Sequence, residues 1–223
     1  MDWSPILISM RTASLSIAIT FVMGILAAWL VVRISHPFIK IILDGIFTIP
    51  LVLPPTVAGF FLLYLFGVKR PIGQFFLEYF SIKIAFSWGA TVLAAVVMSF
   101  PLMYRSARGA FEQVDDTLVQ AARTLGMGEW RIFRKVLLAN AMPGVISGGV
   151  LAFARGLGEF GATAMIAGNI AGKTRTLPMA VYSEVAAGDM ESAYSYVAII
   201  VVVAFLSVGL MNGVLWHSQR KNR

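Results

Sequence analysis

Long apolar stretches with almost no charge are the feature that most limits what this chain can fold into. A helix needs roughly 20 apolar residues to cross a bilayer core of about 30 Å. Stretches of about that length occur at residues 12–32, 45–68, 84–104, 136–158 and 192–216. The sequence therefore predicts five transmembrane helices.

Composition and patterning agree on the class of fold. Hydrophobic residues make up 58% of the 223-residue chain and charged residues only 13%, about half the charged fraction of a soluble domain. The apolar–polar alternation that marks a transmembrane β-barrel is missing from the sequence. Helices then remain as the way to satisfy every backbone polar group inside lipid. We predict an all-α, polytopic membrane protein in which residues 1–223 form one transmembrane domain.

Residues that usually carry catalysis or bind metals are scarce. The chain has no cysteine, and its two histidines, His36 and His217, lie far apart beside the ends of apolar stretches. We interpret both histidines as residues at the headgroup level. Residues 167–174 approach the phosphate-binding pattern G-x-x-x-x-G-K-[ST], but Ala167 stands where the first glycine belongs. We expect no catalytic residue, no metal or cofactor and no ATP site in this chain.

The distribution of lysine and arginine predicts the orientation in the membrane. With five spans, residues 33–44, the loop 105–135 and the C-terminal tail share one side and contain two, six and three basic residues, whereas the opposite connections contain five. The positive-inside rule places the richer side in the cytoplasm. The N-terminus is then outside, and the tail with Arg220, Lys221 and Arg223 is inside. The net charge of +7 reflects loops that face anionic lipid, with no nucleic-acid partner.

Two features of the second half of the chain leave alternatives open. Residues 160–172 are apolar but too few to cross the membrane alone. We expect these residues to extend the fourth helix, to enter the membrane part-way or to line a cavity. If they joined the neighbouring residues in a different way, a sixth span would result. Gly144 and Gly148 have a spacing that allows close helix approach, either within one subunit or between two.

The loop 105–135 is too long for a plain turn and has a helical pattern of its own. Asp115 and Asp116 are placed to cap a short helix, and Gly126 is placed to end it in the left-handed conformation. A second amphipathic stretch follows around Trp130. We predict two short helices, which we call the knob (residues 115–137), projecting into the cytoplasm. A helix pair lying on the lipid headgroups is the alternative.

The residue sequence of this loop resembles that of the coupling loop of ABC importer permeases. Residues 120–126 read Gln-Ala-Ala-Arg-Thr-Leu-Gly, and the family pattern is Glu-Ala-Ala, three residues, Gly, nine residues, then Ile-x-Leu-Pro. Gln120 replaces the glutamate, Val136 the isoleucine and Ala139 the proline, while a proline follows at Pro143. These departures weaken any argument from a salt bridge at position 120 and leave the placement of the loop unchanged.

Three further blocks extend the resemblance over nearly the whole chain. Residues 51–59 read Leu-Val-Leu-Pro-Pro-Thr-Val-Ala-Gly, residues 97–103 read Val-Met-Ser-Phe-Pro-Leu-Met, and residues 153–163 read Phe-Ala-Arg-Gly-Leu-Gly-Glu-Phe-Gly-Ala-Thr. These blocks are similar to the molybdate and sulfate group of ABC permeases, and the first two favour the molybdate type. The resemblance implies a type I importer permease fold in a bacterial inner membrane, with molybdate or tungstate as cargo. A sulfate-type permease is the alternative.

The resemblance also implies partners and a set of coupling residues. Two copies of the chain would form the pathway, each docking its knob on one of two cytoplasmic ATPase subunits, and an extracytoplasmic binding protein would deliver the oxyanion. ATP hydrolysis would come from the ATPase subunits, so this chain is not expected to be an enzyme. The residues expected at the ATPase contact, with the tryptophan as a buried anchor, are Gln120, Ala121, Ala122, Arg123, Leu125, Gly126 and Trp130.

A few polar residues are candidates for the pathway itself. Arg155 and Glu159 share a face of a continuous helix, either as an ion pair at the membrane edge or as charges at the outer mouth that attract an oxyanion. Thr56, Ser99 and Thr163 are weaker candidates, since small hydroxyl residues suit a pathway that must release its anion. A self-sufficient secondary transporter is the competing class, but we find no internal repeat and no charge in the middle of a predicted span.

Overall fold

The computed structural model describes residues 2–221, and within that range it contains helices and no strand. Arg223, part of the predicted basic tail, lies outside the described residues. A π-helical turn, Phe133–Leu137, joins the seventh helix to the eighth. The helices in chain order are α1 Ser4–Val32, α2 Pro37–Val52, α3 Pro55–Phe66, α4 Pro71–Phe80, α5 Trp88–Glu112, α6 Asp116–Thr124, α7 Glu129–Ile132, α8 Leu138–Leu157, α9 Gly161–Ala167, α10 Leu177–Ala187 and α11 Met190–Lys221.

Within residues 2–221, four helical segments are long and apolar enough to cross a membrane, and a bent pair of helices makes a fifth if the pair forms one span. This pair is α2 and α3, which meet at a bend of 110°. The predicted all-α, polytopic architecture is therefore confirmed. The other four segments are Ser4–Val32, Trp88–Glu112, Glu129–Leu157 and Met190–Gly213.

Prolines fix where several helices begin. α1, α2, α3, α4 and α10 each have a proline in their first two positions, where its missing N–H costs nothing and its fixed φ suits the helix. At the start of α1, Asp2 Oδ1 also accepts a hydrogen bond from Ser4 N at 2.9 Å. As a result α1 begins ahead of the apolar stretch at 12–32 and includes Arg11.

α1 and α5 pack in parallel along a seam of small and hydroxyl side chains. Thr12 Oγ1 lies 2.9 Å from Thr91 Oγ1, and Thr20 Oγ1 lies 3.2 Å from Ser99 Oγ, so both pairs have the same sequence separation. A constant separation means that the two helices run in the same direction. We call the end of the bundle where both helices finish the knob end, and the other the far end.

α8 packs antiparallel against α5 and also reaches α1. A β-carbon on Gly144 would lie 2.8 Å from Ala110 Cβ, and one on Gly148 would overlap the Ser106 side chain. On the neighbouring face, a β-carbon on Gly149 would lie 3.2 Å from the Phe21 ring. Gly144 and Gly148 therefore serve packing within one subunit, the first of the two alternatives that the sequence left open.

The second span is broken by prolines. α2 ends at Val52, Leu53 and Pro54 have extended backbone, and α3 begins at Pro55. The two prolines lack the N–H groups that would continue α2, so the chain turns there by 110°. α2 lies against the part of α5 near the knob end, whereas α3 lies against α9 toward the far end.

The fourth span is broken beside the break between α2 and α3. α9 has seven residues and follows α8 after a short break, so residues 160–172 form no sixth span in the described structure. α9 continues toward the far end, where Ile166 O accepts a hydrogen bond from Phe86 N at 3.0 Å. The two breaks touch, since a β-carbon on Gly161 would lie 2.9 Å from Pro55 Cβ.

The contact between α3 and α9 gives a test of this packing. A β-carbon on Gly59 would lie 2.6 Å from the backbone Cα of Ala162, whereas one on Gly45 in α2 would have nothing within 4 Å. We expect Gly59→Ala to destabilise the protein by about 1–3 kcal/mol through overpacking. Gly45→Ala should be neutral or stabilising, because alanine favours a helix. Thermal unfolding in detergent measures both, and equal melting temperatures for the two variants would contradict the close contact.

Candidate coupling knob and translocation pathway

The knob starts with a helix that is capped as the sequence predicts. Asp115 Oδ1 accepts a hydrogen bond from Thr117 N at 2.8 Å, which satisfies a free N–H group at the start of α6. This hydrogen bond lowers the pKa of the Asp115 carboxyl, so the charged cap is complete above the ordinary carboxyl pKa and is lost as the pH falls through the lowered value. α6 ends before Gly126, whose φ of +74° is the left-handed conformation that glycine adopts without strain. The predicted cap and helix break are confirmed.

Aromatic rings attach the second half of the knob to the end of α1. The ring centroid of Trp29 lies 5.7 Å from that of Trp130 and 4.6 Å from that of Phe133. Phe133 is buried, but Trp130 is 53% exposed because it lies in the first turn of α7, at the outside of the cluster. Trp130 is predicted to be an anchor at the ATPase contact; half of its side chain is exposed in the single chain, and that role stays a prediction.

Charges connect the same parts of the molecule. Glu129 lies 3.4 Å from Arg33, just after α1, and 2.9 Å from Arg123 of α6. The Arg33 guanidinium also lies over the Trp29 ring, 4.8 Å from its centroid. All three charged side chains are well exposed, so each pair contributes little stability by itself. Together the two pairs bridge α6, the start of α7 and the end of α1.

The knob presents an exposed apolar face. Leu118 is 46% exposed and Leu125 is 80% exposed, although both are large aliphatic residues. Exposed apolar surface of this kind marks a contact with another protein or with a membrane. Of the predicted coupling residues Ala122 is buried, while the exposed ones are Gln120, Ala121, Arg123, Leu125, Gly126 and Trp130.

Arg155 and Glu159 form an ion pair at the break between α8 and α9. Arg155 Nη1 lies 2.6 Å from Glu159 Oε2, and Glu159 Oε1 accepts a hydrogen bond from Ala162 N at 2.7 Å. The Glu159 side chain is 1% exposed, and the Arg155 side chain is 28% exposed. Glu159 therefore holds the start of α9 and the Arg155 guanidinium at the same time.

The other pathway candidates lie in two different places. Thr56 is exposed at the start of α3, where the two breaks touch, and Thr163 is buried within α9. Ser99 is fully buried in the seam between α1 and α5. The fold therefore brings Thr56 and Thr163 to the same junction as the ion pair of Arg155 and Glu159. It places Ser99 in helix packing, and a pathway role for that residue stays a prediction.

A charged network between α2 and α5 is the feature that sequence reasoning missed. Asp44 in α2 accepts a hydrogen bond from the Tyr104 hydroxyl and pairs with the Arg108 guanidinium. Arg108 also lies 2.9 Å from Glu112, which in turn lies 3.2 Å from Lys40. The four-residue spacing of Tyr104, Arg108 and Glu112 on one face of α5 was the available signal. The network fixes α2 to α5 near the knob end.

The fold defines a class of protein, a multi-pass helical membrane protein. Comparison with known proteins then gives the family. Residues 20–222 match the family described as binding-protein-dependent transport system inner membrane component. The chain belongs to that family.

Three relatives illustrate where the chain lies within it. It is 47% identical over 208 residues to the molybdenum transport system permease protein ModB of Escherichia coli (strain K12), which covers 93% of this chain and 90% of that protein. It is 40% identical over 204 residues to the putative molybdenum transport system permease protein YvgM of Bacillus subtilis (strain 168), covering 92% and 89%. It is 35% identical over 191 residues to the sulfate transport system permease protein CysT of Salmonella typhimurium, covering 86% and 68%.

Solved structures share the fold. A chain of the inward-facing MetNI methionine ABC transporter, in its CY5 native crystal form, matches with a TM-score of 0.67 and 18% identity over 94% of each chain. A chain of an amino acid ABC transporter solved with histidines matches with a TM-score of 0.60 and 18% identity, covering 96% of this chain and 91% of that one. The predicted ABC importer permease fold is confirmed.

Replacing Trp130 tests how the knob is held. Trp130→Ala removes the ring contacts with Trp29 and Phe133, each worth about 0.5–1.5 kcal/mol. We expect the amides of α6 and α7 to exchange faster with solvent while those of α5 stay unchanged, as measured by hydrogen–deuterium exchange. Trp3→Ala is the matched control, because Trp3 is 67% exposed just before α1, at the far end. Identical knob exchange in both variants would show that Trp130 does not hold the knob.

Proposed function

We propose that this chain is the permease subunit of an ATP-driven importer that moves molybdate, or the similar tungstate, across the inner membrane. The observation that carries the proposal is the 47% identity to Escherichia coli ModB over nearly the full length of both chains. Identity to the sulfate permease CysT is lower and covers less of that protein, so a sulfate permease is the second candidate. All three anions are tetrahedral and doubly charged, and the binding protein would make most of the choice among them.

A homodimer would enclose the pathway. One copy leaves both helix breaks at its surface, since Thr56 is exposed and Arg155 is partly exposed. A second copy facing this surface would create a channel lined by two pairs of breaks. Breaks in spans are tolerated where they line a water-filled cavity, because water there satisfies the backbone groups that the helices leave free.

The knob end would lie in the cytoplasm, with the N-terminus outside and the C-terminus inside. The basic residues concentrate at this end, as the positive-inside rule requires. Each of two ATPase subunits would cover the apolar face around Leu118 and Leu125. Movement of a docked knob would reach α1 through the contacts of Trp130 and Glu129. ATP would be hydrolysed by those subunits, and the permease would perform no chemistry of its own.

An extracytoplasmic binding protein would deliver the oxyanion at the far end. α4 lies there beside α3, together with the loop between α9 and α10. The family description itself specifies dependence on a binding protein. This delivery explains why the permease needs no tight binding site of its own.

Transport by a reconstituted complex tests the proposal. Proteoliposomes that contain this chain and its ATPase subunit should accumulate labelled molybdate when ATP and loaded binding protein are supplied on the correct sides. Tungstate should compete strongly and sulfate weakly. Accumulation that persists without the ATPase subunit would indicate a secondary transporter, and stronger competition by sulfate would favour the sulfate permease.

Two glycines of the knob provide a matched pair for testing the coupling role. Gly126 has a φ of +74° and Gly128 a φ of −67°, and a β-carbon on either would have nothing within 4 Å. Gly126→Val forces a β-branched residue into the left-handed region, at a cost of about 1–2 kcal/mol, so affinity for the ATPase subunit should fall about fivefold or more. Gly128→Val should bind normally. If a pull-down titration gave equal affinities of Gly126→Val and Gly128→Val for the ATPase subunit, the left-handed turn of the knob would have no role in coupling.

A further inference from the structure

The packing of α8 against α5 indicates how deep the ion pair of Arg155 and Glu159 lies in the bundle. A β-carbon on Gly156 would lie 3.8 Å from Ala95 Cβ. Ala95 is the eighth residue of α5, which places it roughly 10 Å along that helix from its start at Trp88. α9 continues beyond the pair toward the far end. Taking Trp88 as the edge of a hydrocarbon core of about 30 Å, Arg155 starts roughly 10 Å inside it, and Glu159 lies about one helical turn nearer the far end.

Charges at this depth need water or protein around them. Ionisable side chains within spans face the bundle interior or a water-filled cavity, because lipid does not solvate them. The Glu159 side chain is enclosed, but 28% of the Arg155 side chain is exposed. Thr56, which is also exposed, lies at the same turn, since a β-carbon on Gly161 would lie 3.3 Å from Thr56 Cγ2.

We propose that Arg155 contacts the oxyanion as it passes, and that Glu159 is the counter-ion which the oxyanion displaces. This inference rests on the proposed transport function. A guanidinium has five N–H donors in a planar fork that matches two oxygens of an oxyanion. The 2.6 Å contact with Glu159 engages one end of that fork, through Nη1. Glu159 stays in place when Arg155 turns away, because Ala162 N donates to its Oε1.

The paired carboxylate sets how tightly the oxyanion is held. An arginine without a counter-ion at this depth would attract a doubly charged anion strongly and retain it. Beside Glu159 the local charge is neutral, so the attraction is weaker and the anion leaves again. Displacement also means that the guanidinium exchanges its ion pair with Glu159 for contacts with the anion. Arg155 is therefore never left as a buried charge without a partner.

Glu159→Gln separates the charge of this residue from its structural role. The glutamine oxygen still accepts from Ala162 N, so α9 stays in place while the negative charge is lost. The purified complex of permease and ATPase, without binding protein, should then bind labelled molybdate at least about tenfold more tightly than the unmodified complex. Its maximal uptake rate in proteoliposomes should fall, since release becomes slow.

Arg155→Gln should lower uptake at least about tenfold while ATPase stimulation by the loaded binding protein is retained. The double variant Arg155→Gln/Glu159→Gln contains a neutral pair that can still form a hydrogen bond, so it stays folded even if the single arginine variant does not. It should bind no molybdate. Arg11→Gln, which removes an exposed arginine from α1, is the control and should transport normally.

The outcomes separate this inference from the function on which it rests. Normal uptake by both variants that lack Arg155, or unchanged molybdate affinity in Glu159→Gln, would overturn the role of the pair while leaving the transport function intact. No uptake by the unmodified complex would overturn the proposed function, and the inference with it. Loss of uptake together with loss of ATPase stimulation would mark Arg155 as a structural residue and would also refute the inference.

Discussion

The parallel contact between α1 and α5 is the interaction on which the rest of the bundle depends. Helices in lipid gain little from hydrophobic contact with one another, so close backbone approach and shared hydroxyl hydrogen bonds hold them together. The pairs Thr12–Thr91 and Thr20–Ser99 supply those bonds, and Gly24 lets Met103 approach to van der Waals contact. α8 packs against both helices through its glycines. The broken spans can then be irregular because this three-helix core is regular.

Breaks in two spans and a charged pair at their junction would cost free energy if they faced lipid. Their placement therefore indicates which part of the protein does not face lipid. Prolines break the second span, and the short turn before Gly161 breaks the fourth. Arg155 and Glu159 lie beside that turn as an ion pair. At the knob end, Glu129 and Trp130 connect the exposed apolar face to α1. In the proposed function, a displacement of the knob would thereby be applied to the same core that supports the breaks.

Local features could be predicted from the sequence, and long-range ones could not. Hydropathy predicted a polytopic helical bundle, and Asp115 and Gly126 predicted the helix of the knob, because a cap and a left-handed residue act on their immediate neighbours. The bend of 110° and the bonding of Asp44 to Tyr104 depend on partners distant in sequence. Arg155 and Glu159 were identified as a pair by their spacing, but their depth follows from the contact of α8 with α5 near Ala95, which spacing along the chain does not predict.

The most direct test of the account asks whether water reaches the junction of the two breaks. The chain has no cysteine, so single cysteines can be labelled with a polar, membrane-impermeant thiol reagent in the reconstituted complex. Thr56→Cys lies at the junction, and Phe205→Cys replaces a side chain that is 78% exposed on α11. The account predicts that Thr56→Cys is labelled, at a rate that changes with bound nucleotide, while Phe205→Cys faces lipid and stays unlabelled. An unreactive Thr56→Cys under every nucleotide condition would contradict it.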